Sequence, residues 1–98
     1  MFDIKLGAGG EVVLSGRFDA AQADRAEEFM DRHVTEPTVV DFKELEYISS
    51  AGLGVFLKTQ KKLMETGGGL RFINMNRHIH DIFRFSGFDK IFEIEPVS

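Results

Sequence analysis

Phe2, Ile4 and Leu6 alternate with Asp3 and Lys5, and after Ala8-Gly9-Gly10 the alternation resumes through Val12, Leu14, Gly16 and Phe18. A period of two marks a strand with one buried face, and a short glycine-bearing break between two such runs marks a hairpin turn. The chain therefore opens with two antiparallel strands. The period then changes. Asp19 is a good helix N-cap with Gln22 three residues later, as in a capping box, and Ala23, Ala26, Met30 and Val34 repeat at helical spacing with Phe29 and His33 beside them. Residues 38–42, Thr-Val-Val-Asp-Phe, are short and β-branched and read as a central strand. A loop is expected from there to a second helix near Ser50, carried by Leu53, Phe56, Leu57, Gln60, Leu63 and Met64 and stopped by Gly67-Gly68-Gly69. Residues 70–74 form a fourth strand. A third helix follows over residues 76–85, with Ile79, Ile82 and Phe83 inward and Gly87 as a left-handed cap, and residues 91–94 form a last strand.

The order is β-β-α-β-α-β-α-β. Strands joined through helices imply right-handed parallel crossovers. The expected class is α/β: a sandwich with a mixed four- to five-stranded sheet carrying its helices mostly on one face. The 98 residues are expected to form one domain, 1–98, which at this size buries roughly 60–68% of its unfolded surface.

Composition excludes several functions. The chain has 12 Lys+Arg against 16 Asp+Glu, a net charge of −4, which argues against non-specific nucleic-acid binding. It has no cysteine, so a disulfide framework, a thiolate metal site and a cysteine nucleophile are out. The apolar run at residues 53–57 is far short of the ~20 residues that span a bilayer. Nothing in Met1-Phe-Asp-Ile-Lys-Leu6 reads as a signal peptide. The expectation is a cytoplasmic protein without a membrane segment. His78 and His80 do not share a face of the third helix, so no metal site is expected. Gly67-Gly68-Gly69 lacks the Gly-Lys-Ser/Thr of a phosphate loop, and residue 48 is Ile, so Ser50 is not in a nucleophile elbow. No residue set makes the chain an enzyme, and no cofactor is expected.

One segment remains, Tyr47-Ile-Ser-Ser-Ala-Gly-Leu-Gly54. Its two serines sit where a helix starts, and a helix N-terminus offers unpaired N–H groups and a favourable site for an anion. A serine there can accept a phosphate without breaking its helix, and Gly52 and Gly54 leave room for a partner to approach. The same residues also suit a plain serine cap with glycines for close packing.

This segment, extended to Val55-Phe-Leu57, resembles the signature of the STAS superfamily, in particular the bacterial anti-sigma-factor antagonists. Gly16-Arg-Phe-Asp19 resembles the family's Gly-x-Leu/Phe-Asp at the end of the second strand. Residues 82–92, with Phe83, Ser86, Gly87 and Phe88, resemble its closing Phe-x-x-Ser-Gly-Leu. The three motifs occur in order across nearly the whole chain.

The resemblance implies a regulatory binding module that works by partner switching. It makes Ser50 the phosphorylated residue. Ser49 stands where the family has Asp, which makes Ser49 the second choice. The implied partner surface is Asp19, Ser49, Ser50, Ala51, Gly52, Leu53 and Gly54. The implied partners are an anti-sigma factor that is a serine kinase of the histidine-kinase-like ATPase fold, and a PP2C-type phosphatase. Two alternatives stay open: a non-switching STAS docking subunit of a lipid-transport or scaffold complex, and a nucleotide-binding module.

Overall fold

The computed structural model describes residues 1–96; the last two positions of the expected domain, 97–98, lie outside the described residues. The elements are β1 (Phe2–Leu6), β2 (Val12–Phe18), α1 (Ala23–His33), β3 (Thr38–Ile48), α2 (Ser50–Met64), β4 (Leu70–Ile73), α3 (Arg77–Phe85) and β5 (Glu93–Ile94). Short 3-10 turns precede α1 (Ala20–Gln22) and β5 (Phe88–Lys90). The order is the expected one, and the sheet has five strands in the spatial order β1-β2-β3-β4-β5. β1 is antiparallel to β2, and every other neighbouring pair is parallel.

Crossovers of one hand along a strand order that never reverses place successive helices on one face. Accordingly, Ala26 and Met30 of α1, Phe56 and Leu63 of α2, and Ile79 and Phe83 of α3 join the inward strand residues in one cluster. Phenylalanines run through it. Phe2 stacks on Phe18 at 4.7 Å, Phe18 meets Phe56 edge-on at 5.7 Å, and Phe42, Phe72 and Phe92 continue the series at 4.9 and 4.7 Å. The other sheet face carries Lys5, Val13 and Asp41, none of them fully buried.

Three expectations need correction. The loop read after Phe42 is strand: β3 continues to Ile48. The period-two rule missed it because β3 is irregular twice. Val13 pairs with Asp41 and Ser15 with Glu44; then Gly16 pairs with Leu45 and Arg17 with Tyr47. Each shift inserts an extra residue into β3, as in a β-bulge, so its buried residues fall at 40, 42, 45 and 48. Secondly, the capping box does not form. Asp19 caps the 3-10 turn through Ala21 N–H, and Gln22 precedes α1 without a side-chain bond. Thirdly, the last strand is Glu93–Ile94 only, because Ile91 closes the 3-10 turn and faces outward.

Two features fix α2 in place. Gln60, 6% exposed, accepts from the Leu70 N–H at 2.7 Å and donates to the Ile91 carbonyl at 2.9 Å. It ties α2 to β4 and to the approach to β5. At the exposed side, Lys58 pairs with Glu27 at 2.9 Å and Lys62 with Asp31 at 2.7 Å, joining α2 to α1. The Glu27 carboxylate holds the Lys58 ammonium above its ordinary pKa.

Candidate functional site

The parallel pairing of β2 and β3 ends at Phe18 and Ile48. Ser49 N–H then donates to the Phe18 carbonyl at 2.9 Å, so Asp19 and Ser49 leave the sheet at adjacent strand ends. The family-like Asp and the serine pair, thirty residues apart in sequence, are thus brought together by strand register.

The two serines differ in role. Ser49 has extended backbone (φ −91°, ψ 170°) and is the N-cap of α2. Its Oγ accepts from the Gly52 N–H at 3.2 Å, and its carbonyl accepts from Leu53 N–H at 3.0 Å. Ser50 is the first helical residue and is exposed. Its hydroxyl has no side-chain hydrogen bond among the described residues. The first turn carries no acidic residue, and its leading N–H groups lack intrahelical acceptors. An added phosphate on Ser50 would meet the positive end of the helix dipole there.

The two glycines differ as well. A Cβ on Gly52 would lie 2.9 Å from Ile48 Cγ1 and 3.1 Å from the Phe18 ring, and both side chains are buried. Gly52 is therefore required by packing. A Cβ on Gly54 would meet nothing within 4 Å. Gly54 is exposed, one turn beyond Ser50 on the same side of α2. The fold has no need of a glycine there, although glycine in a helix costs roughly 0.5–1 kcal/mol relative to alanine.

Of the residues expected to form a partner surface, Gly52 and Leu53 (8% exposed) are buried beneath the start of α2. Ser50 and Gly54 are exposed, and Asp19, Ser49 and Ala51 are half-buried. Asp19 Oδ1 accepts from Ala21 N–H at 3.1 Å and makes no hydrogen bond to Ser50, so in the free chain it does not order that hydroxyl. Asp41 accepts from Lys43 N–H at 2.9 Å, within β3 at its first irregularity, and from Asn74 Nδ2 at 3.1 Å.

Sequence reasoning passed over one neighbour of the site. The Arg17 guanidinium lies 4.5 Å from the centre of the Tyr47 ring, on strand positions paired across β2 and β3. Reading Tyr47 as loop hid the pairing. Two surface cavities, of about 220 and 360 Å³, are lined by Ile4 with α1 residues and by the β1–β2 hairpin with the start of β3; neither includes residues 49–54. Among the described residues no group of three or more His, Asp or Glu could hold a metal, and no helix is long and apolar enough to cross a membrane.

The family described as "Mlab, STAS domain" matches residues 4–95. The chain is 40% identical over 75 residues to BtrV of Bordetella bronchiseptica, an alignment covering 76% of this chain and 58% of that one. It thus spans less than two thirds of that relative's length. It is 32% identical over 90 residues to the anti-sigma F factor antagonist of Paenibacillus polymyxa, covering 88% and 74% of the two chains. The names these relatives carry are those of regulators, not enzymes. The fold matches the Bacillus cell fate determinant SpoIIAA in its phosphorylated form with a TM-score of 0.68 at 19% identity, over 98% of this chain and 92% of that one. The chain belongs to the STAS domain family.

Proposed function

We propose that this chain is an anti-sigma-factor antagonist acting in the cytoplasm by partner switching at Ser50. The observation that carries the reading is the division of labour at the start of α2. Ser49 is committed to the cap, which leaves Ser50 as an exposed hydroxyl on a small, uncharged helical turn beside Asp19. The relative from Paenibacillus polymyxa is named for antagonising an anti-sigma factor, and SpoIIAA of the same fold is recorded phosphorylated.

In this scheme the unphosphorylated chain binds an anti-sigma factor that is itself a serine kinase of the histidine-kinase-like ATPase fold. Ser50 Oγ attacks the γ-phosphorus of the kinase's ATP and gives its proton to a general base of the kinase. The Oγ–P bond forms, the bond to the bridging oxygen breaks, and ADP leaves. The phosphoserine carries about −1.5 to −2 charge. Placed in a close interface, it weakens the complex through repulsion and desolvation. A 100-fold loss of affinity needs only about 2.8 kcal/mol. A PP2C-type phosphatase then hydrolyses the ester and resets the hydroxyl. Gln60 and the α1–α2 ion pairs hold α2, which favours a switch by charge rather than by refolding.

The test is calorimetric titration of the kinase with variants, alongside phosphopeptide mass spectrometry on protein from its native cells. Ser50→Asp is expected to lower affinity at least about 100-fold, and Ser50→Ala to bind but resist release by ATP. Tight binding by Ser50→Asp would refute the charge switch. Phosphate on Ser49 would move the acceptor by one residue. A constant complex indifferent to both variants would support the docking-subunit reading. Saturable, stoichiometric binding of ATP or GTP to the purified chain would support the nucleotide-binding reading.

A further inference from the structure

Among the described residues β1 pairs with β2 alone, which leaves the outer edge of β1 open. Arg17 N–H donates to the Met1 carbonyl and Gly7 N–H to the Glu11 carbonyl. Backbone groups in an antiparallel ladder alternate between the paired side and the open side. The odd residues of β1 therefore face β2, and Phe2, Ile4 and Leu6 turn their N–H and C=O groups outward. Arg25 marks that outer side: its Nη1 donates to the Phe2 carbonyl at 3.1 Å and its Nη2 meets Asp3 Oδ1 at 2.9 Å. Leu6 is an exposed large apolar residue. The open groove of about 220 Å³ between Ile4 and α1 runs beside this edge.

We propose that β1 pairs antiparallel with β1 of a second copy, centred on Ile4. The argument is self-complementarity of charge. In this register Asp3 of each copy lies opposite Lys5 of the other, and Phe2 lies opposite Leu6. All outward backbone groups meet outward groups. Directly opposite unlike charges stabilise a strand pair and like charges destabilise it. The neighbouring registers that keep the ladder intact are shifted by two residues. One places Asp3 opposite Asp3 and the other Lys5 opposite Lys5. Only the register centred on Ile4 pairs unlike charges at both positions. Arg25 competes with this pairing, since it occupies the Phe2 carbonyl and the Asp3 carboxylate. Ser50 follows β3, two strands or about 10 Å from this edge, so each copy keeps its α2 start free.

The proposal is independent of the switching mechanism. Its test uses the purified chain in analytical ultracentrifugation from micromolar to millimolar concentration, with amide exchange and circular dichroism in parallel. The mass is expected to double with concentration while exchange of the Ile4 and Leu6 amides slows. Lys5→Asp should weaken the dimer about tenfold, the double change Asp3→Lys with Lys5→Asp should restore it, and Arg25→Gln should strengthen it. A folded chain that stays monomeric throughout would overturn the proposal. So would a dimer whose affinity ignores the Lys5→Asp change.

Discussion

The starts of α2 and α3 are built by the same device and left in different states. Ser49 Oγ accepts from the N–H three residues on, and so does Asn76 Oδ1, which accepts from Ile79 N–H at 2.8 Å. Both helices follow parallel strands and both caps have extended backbone. After the cap, α2 continues with Ser50, Ala51, Gly52, Leu53 and Gly54, none of them charged. α3 continues with Arg77 and His78, both exposed. A capped helix start is thus a folding element available anywhere. What separates a candidate switch from it is the absence of bulk and charge in the following turn. There an added dianion becomes the dominant local charge.

Four substitutions can break or sharpen that contrast. Gly52→Ala should destabilise the chain most, by about 1–3 kcal/mol, because its methyl group meets Ile48 and Phe18 inside the core. An unchanged urea midpoint would show that Gly52 is not held by packing. Asn76→Ala should come next, at about 1–2 kcal/mol. It removes the cap and also the bond from Nδ2 to the Leu45 carbonyl at 3.3 Å. Ser49→Ala should cost about 1 kcal/mol in the same urea experiment while Ser50 remains a phosphate acceptor in a kinase assay. Loss of phosphorylation with stability retained would reverse the roles given to the two serines. Gly54→Ala should have the smallest effect on stability, of opposite sign, a gain of about 0.5–1 kcal/mol. The same variant should bind the kinase more weakly in calorimetry. A gain in stability without loss of binding would remove Gly54 from the partner surface.

Much of this architecture is legible from the chain alone, and the gaps have physical causes. β1 and β2 are visible because one face of each is buried, so Phe2, Ile4, Val12 and Leu14 alternate cleanly. α3 is visible because Ile79 and Phe83 face one core while Arg77, His78 and Arg84 face water. The second half of β3 is hidden because its two irregularities shift Leu45 and Ile48 out of phase. The candidate site is legible as a motif, but a motif does not say which glycine is packed and which is open. Gly52 and Gly54 read alike in sequence and differ only through the Phe18 and Ile48 side chains above one of them. The pairing of Asp19 with the serines is a property of register, and the Arg17–Tyr47 stack a property of the half of β3 whose alternation is broken.

The strand order β1-β2-β3-β4-β5 also bears on how the chain finds its structure. Each strand's partner in the sheet is its predecessor in sequence, so every pairing closes only the loop that lies between consecutive strands. Closure entropy grows slowly with loop length, and low sequence separation between contacts speeds folding. A sheet ordered in this way can be assembled from one end, each βα unit docking on an edge already formed. The nascent chain then never has to leave a gap inside the sheet for a strand still to be synthesised.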